Sequence, residues 1–231
     1  MAASSATPKA FASPDGFGVV DLRRFLEERF PKLPAPTPGR FRSGVSSLDH
    51  AIGGGLPKSA ITELISPQMS AGSASLIHAI IESAQRQAYF LALIDGRDSF
   101  DPESLGSEAL RSLLWVRCRQ TLEAIKAADL LLRDGNFSIV ILDLVLNPPA
   151  ELRKIPQTTW YRLQRLVEVS PTACLVLSRQ SMVASAQLKI VLDNSWTLPS
   201  LEDEEVRSRL RFHIQRSHLK LEGVRAVGAL T

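Results

Sequence analysis

The chain has 231 residues, of which 45% are hydrophobic, and this is enough to bury the core of one α/β domain with extensions. Its 27 Lys and Arg residues against 24 acidic residues give a formal charge of +3, which permits nucleic acid as a partner without demanding it. The N-terminus lacks an apolar signal segment and no apolar run approaches the ~20 residues of a membrane span, so we expect a cytoplasmic protein with no membrane contact.

Residues 1–40 are predicted to form a flexible N-terminal extension. Its first 18 residues are rich in Ala, Ser, Pro and Gly, which is typical of disorder. A short amphipathic helix is expected next, and a proline-rich linker follows it over residues 31–38. The apolar face of that helix would carry Leu22, Phe25, Leu26 and Phe30. This helix can cover the chain's own core or dock on a partner, and both alternatives stay open.

The core domain is predicted to span residues 41–220, with residues 221–231 as a C-terminal tail. Short apolar runs predict strands at 60–65, 88–94, 113–116, 138–144 and 173–177. Helical periodicity lies between them, at 74–86, 102–112, 121–133 and 158–169. This alternation predicts an α/β fold with a mostly parallel, twisted sheet and helices on both faces. Residues 187–192 and 206–219 then predict an antiparallel β-hairpin that closes the sheet.

The turn after the first predicted strand of this domain stands where a phosphate-binding loop would lie. A phosphate loop needs close-packed backbone N–H groups, a lysine for the phosphate oxygens and a Ser or Thr hydroxyl for Mg²⁺. The turn reads Ser66-Pro67-Gln68-Met69-Ser70-Ala71-Gly72-Ser73-Ala74. It contains no lysine, so the backbone near Gly72 offers at most a weak anion site. N-capping of the next helix is the alternative role of Ser70, Ser73 and Ser75.

Several motifs resemble the ATPase core of RecA in their order and spacing. They are SGVSSLD at 43–49, GGGLP at 53–57, ITEL at 61–64, ID at 94–95, FDP at 100–102 and SIVILD at 138–143. This resemblance covers most of residues 41–220 and implies a RecA-like fold.

The same resemblance implies that the nucleotide site has lost its chemistry. Aligned on Gly72, the lysine position of the loop is Ser73 and the magnesium-ligand position is Ala74. The position of the carboxylate that orients water is Arg97, and a cation cannot act as that base. We therefore expect neither ATP hydrolysis nor a cofactor. Asp143 remains, either as a Walker B remnant or as a strand-end carboxylate that accepts backbone N–H groups.

Two features bear on DNA binding. The stretch that corresponds to RecA's second DNA-gripping loop is only residues 178–186, without glycine or an aromatic residue for base stacking. The last predicted strand carries a basic face, which we regard as a candidate surface for nucleic acid or a partner. Its members are Arg207, Arg209, Arg211, His213 and Arg216. The alternative is a solvated edge strand whose charges prevent aggregation.

Among degenerate RecA relatives the chain resembles the ImuA family of bacterial mutagenesis cassettes, most specifically in the triple glycine at 53–55. The resemblance implies an accessory protein of damage-induced translesion synthesis, with ImuB, RecA and an error-prone polymerase as partners. Self-association and weak DNA contact are compatible with it. Two other functions stay open, namely an ATP-dependent RecA- or RadA-like recombinase or motor, and a SulA-type inhibitor of cell division.

Overall fold

A computed structural model describes residues 39–68, 71–103, 105–197 and 210–218. The described strands are β1 Arg40–Phe41, β2 Leu56–Pro57, β3 Ala60–Ile65, β4 Leu91–Asp95, β5 Leu113–Arg117, β6 Ile139–Asp143, β7 Ala173–Ser178, β8 Leu188–Leu192 and β9 Phe212–Ser217. The described helices are α1 Ser46–Ala51, α2 Ser73–Arg86, α3 Ser107–Arg111, α4 Thr121–Asp134, α5 Pro149–Leu152 and α6 Gln157–Glu168. The predicted N-terminal helix and C-terminal tail lie outside the described residues.

Seven strands form one sheet in the order β5-β4-β6-β7-β3-β8-β9, and β1 pairs with β2 separately. All neighbours in the large sheet are parallel except β8 and β9, which are antiparallel. The predicted α/β fold, with a mostly parallel sheet and a closing antiparallel hairpin, is confirmed. The β3 strand lies between β7 and β8, so the loop that follows β3 is surrounded by the carboxyl ends of other strands.

Helices cover both faces of this sheet because the parallel strands are joined by crossovers. Side chains of α1, α2 and α3 pack on one face, where Leu48 and Ile80 are fully buried. The other face packs against α4 and α6, with Trp160 at 0% exposure. All six residues of β3 are buried, as expected for a strand covered on both sides. No described helix has both the length and the apolar character to cross a bilayer.

Some predicted elements begin later in the chain than expected. The helix predicted at 102–112 is confined to Ser107–Arg111, and before it the Leu105 N–H donates to the Pro102 carbonyl at 3.1 Å. Gly106 then starts the helix from an extended backbone conformation. The strand predicted at 88–94 begins at Leu91, since Ala88 adopts a φ of 54° that no strand allows.

A buried ion pair joins β3 to β8. Glu63 and Lys189 lie directly opposite each other in the parallel ladder, with 2.6 Å between Oε2 and Nζ. Glu63 is 0% exposed and Lys189 is 7% exposed. Two charges removed from water in this way are tolerated only when each is fully paired.

The ion pair also fixes the segment after β7. Glu63 Oε1 accepts the backbone N–H groups of Met182 at 2.5 Å and Val183 at 2.8 Å. Lys189 Nζ donates to Ser181 Oγ at 2.6 Å. The segment that corresponds to RecA's second DNA-gripping loop is thus bonded to the sheet at three successive residues.

We expect Lys189→Met to lower the free energy of unfolding by about 3–5 kcal/mol, because it leaves the Glu63 carboxylate buried without a cation. Urea denaturation measures this change. The control is Lys126→Met on the exposed side of α4, which should change stability by less than about 0.5 kcal/mol. A loss below about 1 kcal/mol for Lys189→Met would contradict the structural role of the pair.

Candidate functional site

The loop after Ile65, which is the predicted counterpart of a phosphate loop, joins β3 to α2 at the carboxyl end of the sheet. Ser66, which is buried, continues the ladder by donating its N–H to the Ser178 carbonyl at 2.8 Å. Gly72 is the N-cap of α2, with φ +97° in the left-handed region. Ala71 is fully buried and Ser73 is buried, whereas Ala74 is exposed. Ser70 lies outside the described residues. The lysine position of the loop is therefore filled by a short hydroxyl inside the first turn of α2.

The predicted capping role of the serines is wrong for Ser73 and Ser75. Within the part of the loop that the structure describes, no side chain caps the N-terminus of α2, and Ser73 is already its first helical residue. The physical reason is the conformation of Gly72, whose positive φ turns the chain into the helix without a capping side chain.

Hydrocarbon from the C-terminal hairpin covers Gly72. A Cβ atom added to Gly72 would lie 2.7 Å from two ring carbons of Trp196 and 3.0 Å from a methyl carbon of Leu210. Leu210 is 6% exposed and belongs to the core, and Trp196 is partly buried against the same core cluster. This side of the loop is closed to an anion by an indole ring and a leucine.

A buried amide ties the same hairpin to the loop. Asn194 Nδ2 donates to the carbonyls of Ala71 at 2.8 Å and Arg211 at 3.0 Å. Its Oδ1 accepts the Arg211 N–H at 2.8 Å. Sequence reasoning missed Asn194. The available signal was its place just after a buried strand, at the sheet edge where Asp143 also lies.

Asp143 ends β6 and is separated from β3 by β7. Its Oδ1 accepts the Val145 N–H at 3.0 Å, as the strand-end alternative expects. Burial is the main reason why the pKa of Asp143 is raised to about 6; the Val145 N–H opposes the rise and the negative charge of Asp95 adds to it. A role in magnesium binding stays a prediction.

Arg97 lies on the turn after β4. In the sheet, β6 and β7 stand between β4 and β3. Arg97 Nη1 donates to the Arg119 carbonyl at 2.8 Å. The turn is organised by buried Asp95, whose Oδ2 accepts the N–H groups of Ser99 at 2.7 Å and Phe100 at 2.8 Å. The three candidate parts of the site therefore lie at the ends of three different strands: the loop after β3, Asp143 at the end of β6 and Arg97 after β4. The turn at Arg97 is organised by the structural carboxylate of Asp95.

The basic face is described only in part, because Arg207 and Arg209 lie outside the described residues. Arg211 and His213 are exposed, whereas Phe212 and Ile214 pack against the core. The predicted alternation is confirmed for these four residues. His213 is engaged within the chain, with its Nδ1 2.7 Å from Asp193 Oδ2.

The pairing of β8 with β9 shifts by one residue between Lys189 and Ile190, and this places Arg216 opposite Lys189. Arg216 therefore lies on the same face of β9 as His213. Its Nη2 donates to the carbonyls of Ala184 at 2.7 Å and Ala186 at 2.5 Å. The guanidinium is thus held against the segment after β7, and Arg216 is half-buried whereas Arg211 and His213 are exposed. A nucleic-acid role for this face stays a prediction.

Residues 38–159, more than half of the chain, match the family of the RecA N-terminal domain. The chain belongs to the RecA family. The matched region contains the loop between β3 and α2, Arg97 and Asp143. It ends within α6, before the hairpin whose side chains cover Gly72. The predicted RecA resemblance is confirmed at this level, and the finer assignment to ImuA stays a prediction.

The chain is similar to several RecA proteins. Protein RecA of Chlorobaculum parvum is 36% identical over 116 residues, which cover 48% of this chain and 33% of that protein. Protein RecA of Clavibacter michiganensis is 36% identical over 137 residues, covering 57% and 36%. The DNA repair protein recA homolog 1, chloroplastic, of Arabidopsis thaliana is 33% identical over 117 residues, covering 48% and 26%. The matches thus span about a third of each relative or less.

We expect Gly72→Ala to lower the free energy of unfolding by at least about 2 kcal/mol, since it combines a positive φ with a clash against Trp196. Urea denaturation followed by tryptophan fluorescence measures the loss. Gly106→Ala is the matched control, because Gly106 has φ −66° and an added Cβ meets no atom within 4 Å. Equal effects of the two substitutions would contradict the packing of Trp196 on the loop.

Asp143→Asn should stabilise the protein in a pH-dependent way. Because folding raises the pKa of this carboxyl from 3.8 to about 6, its ionisation costs stability above about pH 6, and the cost vanishes below the unfolded pKa. The variant should therefore gain about 1–3 kcal/mol at about pH 7.5 and clearly less at about pH 4.5, where only part of the ionisation cost is present, as measured by urea denaturation. The exposed control Glu103→Gln should change little at either pH. An equal gain at both pH values would show that the ionisation of Asp143 carries no folding cost.

Proposed function

We propose that this chain is a non-catalytic RecA-like accessory protein of damage-induced translesion synthesis and mutagenesis. It acts in the cytoplasm through contacts with ImuB, RecA and an error-prone polymerase. The observation that carries the proposal is a retained RecA core whose phosphate loop has Ser73 and Ala74 at the cation and magnesium positions. A packed tryptophan on Gly72 adds to it, because the loop is occupied by the chain's own side chains.

The expected loss of ATP hydrolysis follows from the charges at the loop and at Arg97. Catalysis of phosphoryl transfer depends on cations and positioned groups that neutralise the phosphate oxygens. In this chain the loop from Ser66 to Ala74 has no cation, and Arg97 stands where the carboxylate that orients water would be. The remaining carboxylate, Asp143, has its pKa raised to about 6 by burial, and this is unfavourable for a permanent cation ligand. We therefore expect the chain to act only by binding partner proteins, without catalysis.

Such a domain binds its partners whether or not nucleotide is present. In a RecA-type motor, nucleotide would couple to the segment after β7, but here that segment is held by Glu63 and Lys189. A fixed RecA-shaped surface suits an adaptor that must present one face to a filament or a polymerase at all times. The same bonds disfavour a RecA-style grip on DNA, because the N–H groups of Met182 and Val183 already have an internal acceptor.

The assignment to ImuA rests on the triple glycine at 53–55 and on the shortened segment at 178–186. The three glycines have φ values of 79°, 104° and 135°, all in the region that side chains avoid. At Gly55 an added Cβ would also lie 2.4 Å from the Phe41 carbonyl oxygen. The turn that leads into β2 therefore requires glycine, which gives this part of the ImuA resemblance a structural reason.

The test is affinity capture with the purified, immobilised chain. ImuB and RecA from the same organism should be retained, and the retained amounts should be the same with and without ATP and Mg²⁺. An adaptor without a nucleotide switch predicts this independence. Failure to retain either protein would contradict the accessory role.

A measurement of ATP turnover by the purified chain tests the rival motor function. We expect no turnover above background, and Asp143→Ala should leave both turnover and capture unchanged. Turnover at the rate of an ordinary recombinase, abolished by Asp143→Ala, would establish an ATP-dependent recombinase or motor instead. A SulA-type inhibitor would be revealed by inhibition of FtsZ polymerisation in the presence of the chain.

A further inference from the structure

The loop between β3 and α2 is contacted by side chains from the far end of the chain. Trp196 and Leu210 lie against Gly72, and Asn194 bonds to Ala71. These three side chains belong to the C-terminal hairpin, by which we mean residues 188–217. The resemblance to RecA implies a nucleotide phosphate at the same loop, so the loop has two candidate occupants.

The space beside Gly72 is already taken. Glycine is used in phosphate loops because it lets phosphate oxygens come within hydrogen-bond distance of the backbone. The atoms nearest to an added Cβ at Gly72 are Cη2 and Cζ3 of Trp196, both at 2.7 Å, and then a methyl carbon of Leu210 at 3.0 Å. A site without room for one methyl carbon has no room on that side for a phosphate group, which is larger.

The atoms that fill this space do not supply the chemistry that a phosphate needs. Cη2 and Cζ3 are carbons of the six-membered ring of the indole, so neither donates a hydrogen bond. Leu210 is buried, and Trp196 is half-buried against the same core cluster. Entry of a triphosphate on this side of Gly72 would therefore require the indole ring to move and to expose apolar surface.

A buried amide anchors the hairpin directly before Trp196. Asn194 is 2% exposed, and its Nδ2 donates to the carbonyls of Ala71 at 2.8 Å and Arg211 at 3.0 Å. The Asp193 N–H also donates to the Arg211 carbonyl at 3.0 Å, so both arms of the hairpin are joined at this point. Movement of this part of the hairpin away from the loop would leave a buried amide without its partners, which is costly.

We propose that the C-terminal hairpin is a built-in occupant of the loop and that it excludes a triphosphate independently of the missing lysine. The loop is then closed in two ways, by the loss of the cation at Ser73 and by the packing of Trp196 on Gly72. The proposal goes beyond the accessory function, which is carried by the residues at the cation and magnesium positions and not by the hairpin.

The experiment measures the binding of radiolabelled ATP with Mg²⁺ to full-length variants by equilibrium dialysis. The double variant Ser73→Lys/Ala74→Thr returns the cation and the hydroxyl to the loop, and the triple variant also carries Trp196→Ala. We expect the double variant to show no binding at about 1 mM ATP, and the triple variant to bind at least about tenfold more tightly than that limit. Asn194→Ala in place of Trp196→Ala is a second route to the same opening, and it should increase binding above that of the double variant.

The matched control is Ser73→Lys/Ala74→Thr/Trp115→Ala. It removes another half-buried tryptophan, which lies on β5 at the opposite edge of the sheet from the hairpin, and it should bind no more ATP than the double variant. The proposal is overturned if the double variant binds ATP as tightly as the triple variant. It is also overturned if neither hairpin variant binds ATP, or if the two tryptophan replacements have equal effects.

These outcomes are separate from the test of the accessory function, which depends on the capture of partner proteins by the wild-type chain. A double variant that binds ATP would remove the steric role of the hairpin and would leave the capture result unchanged. Circular dichroism and thermal melting confirm that each variant is folded.

Discussion

The buried pair of Glu63 and Lys189 sets the arrangement of the carboxyl end of this sheet. It fixes the register of β8 against β3, since a slip by one residue would bring Leu188 or Ile190 opposite Glu63 and leave a buried carboxylate without a cation. It also fixes the segment after β7, whose N–H groups end on the same carboxylate. One internal charge pair therefore determines both where the hairpin stands and how the neighbouring loop is folded.

With β8 placed in this way, groups just beyond it contact the loop between β3 and α2. Asn194, just beyond β8, bonds to the loop at Ala71. Trp196 then lies on Gly72, so hydrocarbon covers the loop at this residue. The proposal of a fixed binding surface rests on these contacts of Asn194 and Trp196 with the loop.

The parts of the fold that sequence analysis predicted are those encoded locally. The bounds of β3 were predicted to the residue because two apolar pairs, Ala60-Ile61 and Leu64-Ile65, frame a short segment between turns. The expectation of an altered loop came from Ser73 and Ala74, which directly follow Gly72. The contacts that complete the site were not visible, since Asn194 and Ala71 are 123 residues apart and no periodicity links them. The left-handed turn at Gly72 was missed for a different reason, because nearby serines offered an equally plausible cap.

The position of β3 in the sheet also has a consequence for how the chain acquires its structure. Ala60 pairs with Ala173 and Thr62 with Leu188, so both neighbours of β3 come from the last quarter of the sequence. During synthesis this apolar strand emerges more than a hundred residues before either partner exists. Long-range parallel pairing of this kind is slow and leaves an unpaired strand open to other chains. The nascent polypeptide thus depends on protection of one hexapeptide, residues 60–65, until nearly the whole domain has left the ribosome.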